Sequence, residues 1–160
     1  MERRELFRSL ARITQGKQED VVIRPPYNAD VSLFHKECVH CEGSCAAVCE
    51  EQIIKISADK TPCLDFSQSG CTFCDECVKA CTFGVLDLQV QSHQIDAVIS
   101  INQDKCVSWE GVMCFSCKDP CLDNAIDFQA MFMPKINTNC TNCGFCISRC
   151  PVDAIEVGAA

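Results

Sequence analysis

The stretch Cys140–Pro151 reads CTNCGFCISRCP and decides how the rest of the chain is interpreted. Its cysteines follow the spacing C-x2-C-x2-C-x3-C-P, which is typical of cubane [4Fe–4S] cluster sites. Three closely spaced thiolates bind one cube, and the fourth usually reaches a different cluster. The stretch therefore predicts an iron–sulfur protein whose chemistry is the movement or storage of single electrons.

Sixteen of the seventeen cysteines fall into four sets that vary this plan. The second set keeps the spacing but is followed by Thr82 instead of proline, and the first set has one extra residue after its second cysteine. The third set has a longer first gap that contains Trp109. Because a longer gap can be looped out without moving the ligands, we predict four [4Fe–4S] clusters. The sets are Cys38, Cys41, Cys45 and Cys49; Cys71, Cys74, Cys77 and Cys81; Cys106, Cys114, Cys117 and Cys121; and Cys140, Cys143, Cys146 and Cys150.

Each set is followed by the same alternation of apolar residues, at the fifth and seventh positions after its last cysteine. Alternation with a period of two predicts a short, half-buried strand after each set. Further strands are predicted over 98–101 and 133–136, and a short helix is predicted to begin within each cysteine set. The alternating pairs are Ile54 and Ile56, Leu86 and Leu88, Ile126 and Phe128, and Ile155 and Val157.

These repeats predict an α+β fold of tandem bacterial-type, two-cluster ferredoxin-like units, stabilised by the clusters themselves. We expect a basic N-terminal helix and Pro-Pro tether over 1–30, one unit over 31–88, a polar connector over 89–97 and a second unit over 98–160. In such units the fourth cysteine of one set completes the neighbouring site. The predicted crossed groups are Cys38, Cys41 and Cys45 with Cys81; Cys71, Cys74 and Cys77 with Cys49; Cys106, Cys114 and Cys117 with Cys150; and Cys140, Cys143 and Cys146 with Cys121.

Composition narrows the class of protein. The chain has 160 residues and a net charge of −8, and its apolar fraction of 48% includes all the cysteines. Without the cysteines the hydrophobic core is small, so the fold needs additional cross-links, and bound clusters would supply them. The acidic balance argues against nucleic acid and favours docking on basic patches of redox partners. Zinc is the alternative metal, but zinc sites generally use two separated C-x2-C pairs.

The start of the chain is open to two interpretations. Leu6, Leu10 and Ile13 have helical spacing among several arginines, which fits either a docking helix for a partner or membrane face, or a cap on the cluster domain. No apolar export segment follows Arg3 and Arg4, and no stretch is long enough to span a membrane. We therefore expect reduced thiols in a cytoplasmic protein.

The remaining candidates point away from catalysis. Cys63 belongs to no set, and we expect it to be a buried small hydrophobe rather than a redox-sensing thiol. His35, His40 and His93 are expected at the surface, and Trp109 either shields a cluster or packs its loop. Since the chain has no phosphate loop, no nucleophile with its base and no paired-carboxylate site, we expect that it is not an enzyme.

The chain resembles the NapF-type ferredoxins, which are accessory proteins of periplasmic nitrate reductase systems. The resemblance lies in Ile23-Arg24-Pro25-Pro26-Tyr27, in the order of the four sets with the long-gap third, and in the closing Cys150-Pro151-Val152-Asp153-Ala154-Ile155. The extra residue in the first set, Thr82 and Cys63 depart from the family pattern.

The resemblance implies a cytoplasmic protein that contacts the precursor of the nitrate reductase catalytic subunit before export. The implied role is maturation, by supply or reduction of an iron–sulfur cluster. The alternative is an electron-transfer subunit that passes single electrons between a donor and a reductase. Both roles require the same sixteen cysteines, so the cysteines do not decide between them.

Overall fold

The structure, a computed structural model, describes residues 22–28, 30–90 and 93–159. The predicted N-terminal helix with Leu6, Leu10 and Ile13 lies outside these residues. The chain is a mixed fold of short helices and strands, as predicted. The helices are α1 (Ser32–Glu37), α2 (Ser44–Ala47), α3 (Glu76–Lys79) and α4 (Phe145–Arg149), with a 3-10 turn at Cys38–His40. The strands are β1 (Ile54–Ile56), β2 (Pro62–Leu64), β3 (Val98–Ile101), β4 (Ile126–Gln129), β5 (Phe132–Ile136) and β6 (Ile155–Gly158).

The strands of the described residues form three two-stranded antiparallel sheets. β1 pairs with β2, and β4 pairs with β5 across a register shift at Phe128 and Gln129. β6 returns to pair with β3, with Ile101 opposite Ile155. The strands predicted at 98–101, at 133–136 and after the first, third and fourth cysteine sets are therefore confirmed.

The strand predicted after the second set is wrong. Leu86 makes only an isolated antiparallel bridge with Asn28, and Leu88 is exposed. The segment opposite contains Pro25 and Pro26, which have no N–H group to donate to a ladder. The pairing therefore cannot extend beyond the bridge and the hydrogen bond from Asp87 N to Tyr27 O.

The expected tether of Pro25 and Pro26 is part of the core. Both prolines and Tyr27 are buried. Arg24 donates from Nη1 to Thr61 Oγ1 and to the Pro62 carbonyl oxygen, both at 2.7 Å. Its guanidinium carbon lies 5.0 Å from the centre of the Phe34 ring. This segment is fastened to the first half of the chain by these side chains and by backbone hydrogen bonds from Leu64 N to Ile23 O at 2.8 Å and from Asp87 N to Tyr27 O at 2.9 Å.

Among the described residues, three apolar clusters of buried side chains hold the fold, and cysteines pack against all of them. One surrounds Phe34 and combines residues of 31–88 with Tyr27, and one lies within 98–159 around Ile126. The third combines Ile53 and Phe66 with Ile95, and α4 contributes Ile147 to it. Because this third cluster takes side chains from both halves and from the connecting segment, the halves pack against each other.

Candidate iron–sulfur sites

Short helices position the third cysteine of three sets. α2, α3 and α4 each begin after a residue in the left-handed conformation: Gly43 (φ 81°), Asp75 (φ 64°) and Gly144 (φ 87°). In the first set Gly43 follows the extra residue, so the insertion is absorbed before the helix begins. Glycine adopts this conformation at little cost, whereas Asp75 pays a steric penalty for it.

The helix predicted within the third set is wrong. Residues 106–121 form turns, with no helical residue among them. Trp109 Nε1 donates to the Pro134 carbonyl oxygen at 3.3 Å, which fastens the long gap to β5. Trp109 is not among the residues that line the cavity of this set, so it packs the loop rather than shielding the cavity.

The structure brings the sixteen cysteines together in four groups, which we call quartets and number by the set that supplies three of the members. Each quartet lines a separate cavity that is partly open to solvent. In every quartet the fourth cysteine comes from the neighbouring set. The first quartet is Cys38, Cys41, Cys45 and Cys81; the second is Cys71, Cys74, Cys77 and Cys49; the third is Cys106, Cys114, Cys117 and Cys150; and the fourth is Cys140, Cys143, Cys146 and Cys121.

Backbone amides donate to several of these sulfurs. Three of the cysteines that cross between sets accept an N–H at their Sγ: Cys81 from Leu86 at 3.5 Å, Cys121 from Ala125 at 3.2 Å and Cys150 from Ala154 at 3.2 Å. Amide donors stabilise a thiolate and tune the reduction potential of a cluster bound to it. The chain segment that follows each of these cysteines thus orients its sulfur.

Burial strongly perturbs the innermost thiols. It raises the pKa of Cys77 and Cys146 to about 12, and neighbouring thiols add to the rise. Burial likewise raises the pKa of Cys45, Cys71 and Cys117 to about 11. Because metal ligands bind as thiolates, loading these sites must release protons.

In the first quartet the pKa of one thiol, that of Cys41, is lowered instead of raised. The amide groups of Ser44 and Gly43 hold the pKa of Cys41 below its usual value. Gly43 N lies 3.4 Å from Cys41 Sγ. The extra residue of the first set therefore leaves a glycine amide directed at a sulfur, and Cys41 is a more acidic thiol than its neighbour Cys38, whose pKa burial raises.

The residues fit a [4Fe–4S] cluster by the chemistry of their donors. Each quartet supplies four soft sulfur ligands around a largely apolar cavity, the donor set that holds such clusters. Within 22–28, 30–90 and 93–159, no three His, Cys, Asp or Glu side chains come together as a group for one metal ion. In each quartet the four thiols line one cavity. A cluster bound there supplies one-electron redox chemistry.

The second cavity contains functional candidates that sequence reasoning missed. Tyr27 and Asp75 line it, and Asp75 Oδ1 is buried and has no hydrogen-bond partner among the residues that the structure describes. Burial, followed by the nearby Asp75 carboxylate, raises the pKa of Tyr27. The His93 ring packs edge-on against Tyr27 and Phe73, at 6.2 and 5.9 Å between centroids. These contacts join distant parts of the chain, and no local sequence pattern signals them.

The other residues singled out from the sequence lie apart from the quartets. His35, His40 and His93 are exposed, as expected. Cys63 lies on β2 outside every quartet, and the expectation that it is buried is wrong. Its half-buried sulfur accepts from Ser57 Oγ at 3.2 Å, because the β1–β2 pairing turns this position outward while its neighbours Pro62 and Leu64 face the core.

Comparison with known proteins identifies relatives of this chain. The chain matches the family described as 4Fe-4S binding domain over residues 133–156. It is 37% identical over 149 residues to "Ferredoxin-type protein NapF" of Haemophilus influenzae, covering 88% of this chain and 81% of that protein. It is 33% identical over 138 residues to the protein of the same name in Escherichia coli K12, covering 83% and 82%.

A more distant relative, "Ferredoxin-type protein NapG" of Haemophilus influenzae, is 26% identical over 132 residues, which cover 74% of this chain and 47% of that protein. Within 22–28, 30–90 and 93–159, no helix has the length and apolar character needed to cross a membrane. The match to the 4Fe-4S binding domain includes all four cysteines of the fourth set, Cys140, Cys143, Cys146 and Cys150. The chain belongs to the NapF family of ferredoxin-type iron–sulfur proteins.

Proposed function

We propose that the sixteen cysteines hold four [4Fe–4S] clusters in two tandem two-cluster units, residues 31–88 and 98–160, joined by 89–97 and preceded by an N-terminal segment over 1–30. The observation that carries the proposal is the division of the cysteines into four quartets, each around its own cavity. Aggregated or randomly placed thiols would not leave four separate cavities with four sulfurs each.

The cluster content is tested by iron and acid-labile sulfide analysis of protein purified without oxygen. Four clusters correspond to about sixteen iron atoms per chain. Cys63→Ser is the matched control, because Cys63 is outside every quartet and its loss should leave the iron content unchanged. A content of about eight iron atoms, or a fall in the Cys63→Ser variant, would contradict four quartets of this composition.

We further propose that this iron–sulfur protein acts in the cytoplasm on the precursor of the periplasmic nitrate reductase catalytic subunit. Its role is to assist maturation, by supplying or reducing an iron–sulfur cluster before export. Membership of the NapF family supports this proposal. The net charge of −8 supports docking on a basic surface of the partner.

An anaerobic pull-down tests this role. Tagged protein is offered the precursor and the mature form of the catalytic subunit, and we expect selective capture of the precursor. Two comparisons refine the result: protein stripped of iron, and protein lacking residues 1–21. That deletion leaves Ile23 and Arg24 in place, which matters because both contribute to the fold. Capture of neither form by brown, reducible protein would contradict the role.

An electron-transfer subunit is the second candidate, and one observation favours it. Cys74 is exposed, so the second quartet reaches the surface, where electrons can enter or leave. In that role the reduced protein would pass electrons to a mature reductase without binding its precursor. Anaerobic reoxidation of the reduced protein by mature enzyme, with no precursor capture, would select this candidate over maturation.

A further inference from the structure

The two halves of the chain meet at the backbones of two cysteines from different quartets. The amide of Cys71, in the second quartet, donates to the carbonyl oxygen of Cys143, in the fourth quartet, at 2.7 Å. Each of these residues follows or precedes a glycine, Gly70 or Gly144. We call Gly70–Cys71 together with Cys143–Gly144 the junction.

At the junction the two halves approach each other so closely that no residue other than glycine fits at Gly70 or Gly144. A Cβ atom on Gly70 would lie 2.5 Å from Phe145 N and 2.7 Å from Cys143 O, which are backbone atoms that cannot move aside locally. A Cβ on Gly144 would collide with the Phe66 ring. Both glycines and Phe66 are buried. Glycine is thus required here for close approach of one half to the other.

Two further hydrogen bonds fasten the same interface. Ile95 N donates to Thr141 O at 3.0 Å, and Asn142 Nδ2 donates to Ile95 O at 3.1 Å. Ile95 is 1% exposed, and Asn142 lies between two cysteines of the fourth quartet. The segment between the halves therefore binds back onto the loop that carries the fourth quartet.

Within each half the two quartets are also neighbours. Cys45 of the first quartet and Cys77 of the second pack against the same two apolar clusters. Cys117 of the third quartet and Cys146 of the fourth belong to one cluster of buried residues. The second and fourth quartets are thus each in contact with a partner in their own half and with each other through the junction.

We propose that the junction fixes the second and fourth quartets side by side, so that the four cluster sites form one series in the order first, second, fourth, third. Gly70 and Gly144 are its positioning residues. This inference rests on the proposed cluster content. With clusters bound, the junction would join the two pairs of sites into one electron-storing unit: one electron would pass between the two inner sites, oxidising one as it reduces the other, with no bond made or broken and no proton moved.

The test compares Gly70→Ala with Gly158→Ala in the full-length, cluster-loaded protein reduced with dithionite. The two changes are chemically identical, but a Cβ at Gly158 meets nothing within 4 Å, whereas one at Gly70 meets the backbone of the other half. Electron paramagnetic resonance reports magnetic interaction between reduced clusters. We expect Gly70→Ala to bind as much iron as the wild type and to lose part of this interaction, while Gly158→Ala keeps the wild-type spectrum.

An unchanged spectrum in Gly70→Ala at equal iron content would overturn the inference, since interactions within each half are common to all three proteins. If Gly70→Ala does not fold, hydrogen exchange of the wild type decides: slow exchange of the Cys71 and Ile95 amides supports the junction, and fast exchange overturns it. Iron analysis of the wild type separates the two proposals, because a low iron content contradicts the four clusters whereas the exchange measurement still tests the junction.

Discussion

The two halves of the molecule share a pattern of strand pairing but fasten it differently. In the second half, β6 follows the last cysteine set and pairs over four residues with β3, which precedes the third set. In the first half, the chain after the second set also returns to the chain before the first set, but the contact is the single bridge between Asn28 and Leu86. These two segments thus pair over four residues in the second half and through one bridge in the first half.

In the first half, side-chain contacts add to the two backbone hydrogen bonds that Ile23 O and Tyr27 O accept from Leu64 N and Asp87 N. Pro25 and Pro26 cannot donate, and Arg24 instead reaches Thr61 and the Pro62 carbonyl from the adjacent position. The segment before each pair of cysteine sets can thus be attached in either of two ways: by a strand ladder, as in the second half, or by a single bridge together with side-chain hydrogen bonds, as in the first half. It also predicts that the halves respond to different substitutions.

The largest effect is expected from Phe34→Ala in the first half. Phe34 is 0% exposed, lines the cavity of the first quartet and receives the Arg24 guanidinium, so its loss should cost about 3–5 kcal/mol of stability. Phe83→Ala is the matched control, because Phe83 lines the same cavity but is 42% exposed. The measurement is the concentration of guanidinium chloride at which half of the brown colour is lost, without oxygen. This concentration should fall far more for Phe34→Ala than for Phe83→Ala, and equal values for the two variants would contradict the account.

A smaller loss, about 2–3 kcal/mol, is expected from Arg24→Ala, which removes two charge-assisted hydrogen bonds to partly buried acceptors. Arg24→Lys keeps the charge but not the planar fork and should recover only part of the stability. Alkylation during mild denaturation should reach the first-half cysteines before the second-half cysteines in Arg24→Ala. Simultaneous modification of both halves would mean that this side chain is not the local fastening.

Ser100→Pro tests the complementary fastening of the second half. Ser100 is exposed on β3 opposite Glu156, so proline removes an amide from the ladder without emptying the core, at a cost of about 1–2 kcal/mol. Ser100→Ala retains the amide and serves as the control. Here the second-half cysteines should become reactive first, and the reverse order would refute the proposed division of roles.

The smallest effect is expected from Lys105→Met, which removes an exposed ion pair at the edge of the same ladder. Lys105 Nζ lies 2.8 Å from Glu156 Oε1, and its hydrogen bond, followed by that from Asn102, lowers the pKa of Glu156. A lowered carboxylate pKa contributes stability above the unfolded-state pKa, and this contribution is lost as the pH falls through the folded-state pKa. The slight fall in midpoint should therefore be constant between about pH 6 and pH 8 and vanish in high salt. A salt-independent loss would point to packing of the lysine stem instead.

Local pattern predicts much of this structure because the cysteine spacing and the alternation after each set are local signals. β1, β4 and β6 follow directly from apolar residues with a period of two. The missing strand at Leu86 could not be predicted in this way, because it depends on what lies opposite, namely Pro25 and Pro26. The missing helix in the third set, by contrast, has a local signal, because Pro120 has no N–H group to donate and disfavours helical backbone at Asp119.

Long-range contacts explain what sequence reasoning missed at the sites. Arg24 was part of a motif, but its partners are 37 and 38 residues distant. In the sequence, nothing distinguishes Gly70 from the other residues that precede a cysteine. Only the close packing of the second half against Gly70 shows why glycine is needed there. Cys63 is predicted to be buried because a free cysteine behaves as a small hydrophobe, but the β1–β2 register, which composition does not encode, turns its position outward.

The most direct test of the central claim, the crossed grouping of the cysteines, is a cysteine footprint of Cys81→Ala. Cluster-loaded protein is alkylated without oxygen and mapped by mass spectrometry, with Cys63→Ala as the control. Crossed quartets predict that Cys38, Cys41 and Cys45 become reactive in Cys81→Ala, while Cys71, Cys74 and Cys77 stay protected with Cys49. Reactivity of Cys71, Cys74 and Cys77, with Cys38, Cys41 and Cys45 protected, would show that each set closes its own site and would contradict the account.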